Sequence, residues 1–381
     1  MKKLLLTLTV SVLAISFIFS LQGCLKDSCS STYTIYAPIY KKLTDVRAEM
    51  KSEAARPLEN TGKIYVYGQY IFMNEVHKGI HVIDNSNPAS PKNISFINIP
   101  GNVDIAVKGN YLYADCYSDI VVFDISNPVQ VNVAKFLDNA IPEVGYFWGN
   151  NTSIDSVEVI VGYSSRDTTV DCDTWQSWVN CRSCLRMDAG GGVFLTNAPA
   201  ASQQGKGGSM ARFSIVNNYM YGVSSYKLYA FDIANPSDPM YTGEFAHVSS
   251  CDPVISDGQT AYVTLRSGTE CQGFTNQLDV INISNLSNPS LIKTYPMSNP
   301  HGLSKDGDNL FICDGKAGLK IYNASDPSSI KLLDKFENLE TFDVITMNGL
   351  AIVVAKDGLY QYDYSNNSNI RQISRMGISR K

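Results

Sequence analysis

Ile80-His81-Val82-Ile83-Asp84-Asn85-Ser86-Asn87-Pro88 is the stretch that decides the fold, because the chain repeats it. Val121-Val122-Phe123-Asp124-Ile125-Ser126-Asn127-Pro128 follows 40 residues later. Further copies centre on Asp232, Asn282, Asn323 and Asp363. Each is a short alternating strand that runs into Asp/Asn-x-Ser/Ala-Asn/Asp, usually followed by Pro. Proline fixes its own φ and pushes the residue before it into extended geometry, so the chain turns at a defined point. The Asp and Ser oxygens can accept the N–H groups that an ending strand leaves free. Asn replaces Asp in two copies, so a neutral acceptor suffices and the position reads as a turn bracket. Self-similarity near forty residues with four short strands per unit predicts an all-β fold, a β-propeller.

The strands of the second copy are expected at Asp104–Lys108, Tyr111–Asp115, Ile120–Ile125 and Val131–Phe136, with Gly109-Asn110 as a hairpin turn. Gly68-Gln69, Asn217-Asn218, Asp257-Gly258 and Asn348-Gly349 fill that place elsewhere. The 108 residues between Asp124 and Asp232 exceed two repeats. A degenerate copy fits there, with strands at Val144–Trp148, Val157–Tyr163 and Gly192–Thr196, together with an insertion at 164–209. Seven blades over 58–376 is the reading, with six as the alternative.

Before the repeats, Lys2 and Lys3 precede an apolar run from Leu4 to Leu21, as in a secretory signal. Residues 24–57 read as a tether with a short surface helix near Leu43, and 377–381 as a tail. Losing 1–23 moves the formal charge from −5 to −7, which argues against a nucleic-acid partner.

Two resemblances follow from these residues. Leu21-Gln22-Gly23-Cys24 resembles the bacterial lipoprotein lipobox, which implies cleavage before Cys24, lipidation of its sulfur, and a membrane anchor in the cell envelope. The outer membrane is the expected site, at its periplasmic or its surface face. The repeats resemble the LVIVD repeat, a propeller repeat of bacterial surface and envelope proteins, which brings no catalytic residues with it.

Chemistry has two candidate locations. Lined up on their hairpin turns, the copies place Lys63, Asp104, Arg212, Asp252, His301 and Asp343 in one column, five residues before each turn. The first strand of a propeller blade lines the central channel, so the column predicts a polar, ligand-binding ring at its upper mouth. The insertion is the second location. It holds Trp175 and Trp178, which can stack on sugars or dock a protein, and Cys172, Cys181 and Cys184. An oxidising envelope permits disulfides, with Cys251 and Cys271 flanking one hairpin as a plausible pair. Cys116 and Cys313 occupy near-equivalent strand ends and read as buried thiols. Three thiols without a nearby histidine do not make a zinc site, and no metal or cofactor is expected.

The expected function is a lipid-anchored binding scaffold for a glycan or an envelope protein. The alternatives are a hydrolase or lyase using Asp104 and Asp343 with His301, and a purely structural envelope component.

Overall fold

The computed structural model describes residues 30–142, 147–148, 156–171, 195–196, 206–224, 227–246, 253–267, 275–285 and 288–380. It divides into two compact units, one of Met1–Ile39 with Gly162–Asp188 and one of Tyr40–Val161 with Ala189–Lys381. Among the described residues the larger unit forms a propeller of six blades.

Blade 1 is Thr61–Tyr67, Tyr70–Glu75, Gly79–Asp84 and Lys92–Asn98; blade 2 is Ile105–Lys108, Tyr111–Cys116, Asp119–Asp124 and Asn132–Leu137. Blade 3 is Phe213–Val216, Tyr219–Val223, Lys227–Asp232 and Met240–Ala246, and blade 4 is Val254–Asp257, Thr260–Leu265, Gln277–Asn282 and Ser290–Pro296. Blade 5 is Leu303–Asp306, Asn309–Cys313, Leu319–Asn323 and Lys331–Phe336; blade 6 is Thr341–Met347, Leu350–Ala355, Gly358–Asp363 and Arg371–Gly377. First strands touch between blades 1 and 2, 2 and 3, 4 and 5, and 5 and 6; Leu195–Thr196 touches those of both blade 3 and blade 4, and Thr341–Met347 touches Thr61–Tyr67, so the ring closes. Ser379 N donating to the Leu58 carbonyl at 2.9 Å ties the end of blade 6 to the start of blade 1.

Strand alternation builds the core between blades. Successive side chains point to opposite faces, so Tyr65, Phe72, Ile80 and Val82 join a cluster with blade 2. Ile64, Val66, Ile71, Met73 and Ile83 of the same strands join one with blade 6. Both faces of a blade are buried, which is why its middle strands are apolar along nearly their whole length.

The brackets behave as their chemistry demands. The side-chain oxygens of Asp84, Asp124, Asp232, Asn282, Asn323 and Asp363 each accept the N–H two residues on, at 2.7–3.1 Å. Every third–fourth strand pair also carries a register shift of one residue. Such bulges sharpen the local twist.

Among the described residues the seventh blade expected between blades 2 and 3 is not found, and six, the alternative, is the number present. Glu158–Asp171 instead lies between Ser30–Lys42 and Phe147–Trp148 in a separate three-stranded sheet. Leu195–Thr196 pairs in parallel with Val254–Ile255 of blade 4, and Lys206–Gly207 pairs antiparallel with Tyr65–Val66 of blade 1. A bare edge of a first strand offers unpaired backbone groups, and these inserted pieces satisfy it in place of a seventh sheet.

The expected tether is also packed rather than loose. Leu43–Ala48 forms the short helix, with Leu43 and Val46 buried in the core cluster of blades 1 and 2. Arg47 bonds Asp119 and Asp138 and lies over the Phe136 ring. Lys51–Ala54 then adds a strand to the outer edge of blade 1. No described helix is long and apolar enough to cross a membrane.

Candidate axial site

Lys63, Asp104, Arg212 and Asp343 come from the first strands of blades 1 and 6 and from the approaches to those of blades 2 and 3. The Lys63 ammonium donates to Asp104 Oδ2 at 2.9 Å. The same oxygen accepts the backbone N–H groups of Arg212 and, at 3.2 Å, Phe213. Asp104 Oδ1 accepts Ile105 N at 2.7 Å. The Arg212 guanidinium turns to Asp115 Oδ2 at 2.8 Å, while Asp115 Oδ1 takes the N–H groups of Val103 and Asp104. Two acids and two bases thus neutralise one another across three blades. Burial holds the Lys63 amine below its ordinary range and the Asp115 carboxyl above its own. Buried pairs of this kind cost several kcal/mol to break on one side, and add little over a well-packed apolar replacement.

Asp343 stands apart in its chemistry. Its Oδ1 accepts Val344 N at 3.0 Å and the Ser209 hydroxyl at 3.4 Å, and its buried Oδ2 has no partner. It is wedged between two glycines: a Cβ on Gly208 would lie 1.8 Å from Oδ2, and one on Gly302 2.2 Å from Oδ1. Desolvation is the main cause that lifts its pKa to about 7, offset in part by Lys63 and reinforced by Asp104.

The channel is filled by the chain itself. Beyond the pairing of Lys206–Gly207 with blade 1, Gly208 N donates to the Ile64 carbonyl at 3.1 Å. The Lys206 ammonium reaches the Thr346 carbonyl of blade 6 at 2.8 Å, and Leu303 N of blade 5 donates to Ser209 Oγ at 2.8 Å. Four consecutive residues therefore span blades 1, 5 and 6 along the axis.

His301 does not join the ring's charges. The turns of blades 4 and 5 fall at Gly258-Gln259 and Gly307-Asp308, because Asp257 pairs with Thr260 and Asp306 with Asn309. Counted from those turns, the column positions are Pro253 and Gly302. A slip of one residue reverses the face of a strand. His301 packs instead against Arg266, Asn299 and the Phe342 ring. Burial first, and the Arg266 charge second, lower its pKa to about 4, so the ring is neutral.

Asp252, Trp175, Trp178, Cys24, Cys172, Cys181, Cys184, Cys251 and Cys271 lie outside the described residues. Cys116 and Cys313 are buried free thiols, raised in pKa by burial. No cluster able to hold a metal occurs among the described residues. The column missed Asp115, Ser209 and the two glycines. Asp115 is the last residue but one of a second strand, and only an acidic residue in an otherwise apolar run signals it.

The LVIVD repeat model matches five segments, 60–97, 101–136, 207–246, 273–296 and 302–337. LVIVD repeats are therefore found in five of the six blades, blades 1 to 5. Among solved structures, the computationally designed Ika8 protein is similar at 9% identity and TM-score 0.44, over 86% of this chain and 92% of that one. A protein from Lactobacillus plantarum is similar at 10% identity and TM-score 0.42, over 86% and 87%. A chain of the mitotic checkpoint complex gives 10% and 0.40, over 85% and 80%. No curated protein gave a match.

Proposed function

We propose that this chain is a lipid-anchored envelope propeller that docks a glycan or another envelope protein as a scaffold. The anchor would be Cys24, and the contact surface the insertion that bears Trp175 and Trp178. One observation carries the reading: the axial cavity, where propellers bind small molecules, is taken by Lys206–Ser209, and its charges are spent on one another. What remains for a partner is the outer surface.

The hydrolase alternative draws less support from the same geometry. Glycoside chemistry needs two carboxylates flanking an open cleft. Asp104 has its oxygens engaged by Lys63 and three backbone N–H groups, and Asp343 faces Gly208 and Gly302.

Crosslinking in intact envelopes, with the whole chain as bait, tests the proposal. A partner protein or glycan is expected to be captured by the native chain, to persist with Asp104→Asn and to be lost on deleting 164–188. Capture that survives the deletion, or turnover of a glycoside abolished by Asp104→Asn in a folded protein, would overturn it.

A further inference from the structure

We infer that Lys206–Ser209 is a latched plug of the axial channel, held shut by the neutral form of the Asp343 carboxyl and loosened when that carboxyl ionises. This goes beyond the scaffold reading and does not depend on what the scaffold docks.

The geometry supplies both the latch and the reason it fails. Asp343 Oδ2 has no hydrogen-bond partner and meets the Gly208 backbone, where even a methyl group has no room. A neutral carboxyl tolerates such a place; a carboxylate needs water or a cation. Four titratable or polar groups face it. Lys63 of blade 1 is committed to Asp104 of blade 2, which itself opposes a second negative charge. The Cys313 thiol of blade 5 is neutral, and Ser209 of the plug gives one long hydrogen bond.

Water can reach Oδ2 by displacing Gly208 and Ser209. Those residues are held by few bonds: the short pairing with Tyr65–Val66, Gly208 N to Ile64, Ala211 N to the Gly208 carbonyl, Lys206 to Thr346, Leu303 N to Ser209, and the long bond from Ser209 to Asp343. Each blade keeps its own ladders when they part. Opening would uncover Lys63 and the axial charges.

The sign follows from linkage. A carboxyl with its pKa near 7 when closed and ordinary when open binds more protons in the closed state. Opening therefore rises with pH from about 4 to 7 and levels off above that.

Amide hydrogen exchange of the full chain from pH 5 to 8, corrected for intrinsic rates, tests this. Protection at Gly208 and Ala211 is expected to fall about 50-fold between pH 5 and 7, while Tyr113 and Val122 in blade 2 stay protected. Asp343→Asn, a neutral isostere, is expected to abolish that slope. Protection independent of pH, an unchanged slope in Asp343→Asn, or equal loss in blade 2 would each overturn the latch.

Discussion

At the residue scale, Asp343 makes a pH statement about the whole fold. Its folded pKa of about 7 lies above the ordinary 3.8, so the native state keeps a proton the unfolded chain surrenders. Its contribution is fully present below about pH 4 and lost as pH rises towards 7. Three pKa units, with the offset from Lys63 already included, set an upper limit of about 4 kcal/mol. Asp343→Asn should gain on the native chain in urea denaturation as pH climbs from 4 to 7; a constant difference would contradict the assigned environment. Gly302→Ala tests the same wedge by sterics. Its Cβ would meet Asp343 Oδ1 at 2.2 Å, and overpacking of this kind costs about 1–3 kcal/mol, read as a lowered melting temperature. Cys116 and Cys313 should resist alkylation until the protein unfolds, because burial disfavours the reactive thiolate; mass mapping of labelled peptides decides it. Buried thiols were legible from the sequence as small side chains at strand ends. The Asp343 wedge was not, since glycines at 208 and 302 come together only once the ring has closed.

At the element scale, the turn brackets give the cleanest substitution series. Asn323 Oδ1 holds both the N–H and the hydroxyl of Ser325. Asn323→Ala removes both bonds and should cost about 1–2 kcal/mol, and Asn323→Asp should be close to neutral, as measured by denaturant midpoint. These brackets, their prolines and the hairpin turns were all readable because local chemistry dictates them. The bulge that follows each bracket was not, since a skipped residue in a fourth strand leaves no composition signal. The column slipped by one residue in blades 4 and 5 for a related reason. Asp257-Gly258 looks like a turn pair in sequence, but the ladder sets Gly258-Gln259 in blade 4 and Gly307-Asp308 in blade 5, so His301 falls one residue short of the column. The helix at Leu43–Ala48 offers a further test. Leu43→Ala empties a buried position and should cost about 2–5 kcal/mol, whereas a loose tether would leave stability unchanged.

At the scale of the whole propeller, repeat counting was legible where copies keep their bracket and failed where none exists. Residues 138–211 hold no Asp-x-Ser-Asn-Pro unit, and length alone suggested a blade that the chain spends on a separate sheet and on the axis. The closed ring also predicts how the molecule fails. Deleting blade 6 from Thr341 onward removes the neighbour of blade 1 and the Thr346 and Asp343 contacts of the plug. Such a truncation should be protease-sensitive throughout, not only at its new end. The plug itself has a consequence for biogenesis. Lys206–Ser209 leaves the ribosome before blades 5 and 6 exist, yet its seat is built partly from their residues. An emerging or translocating chain must therefore hold this stretch unseated until the last repeat arrives, and pairing over such sequence separation is slow. Completion of synthesis, rather than any early nucleus, sets the moment when the hub locks.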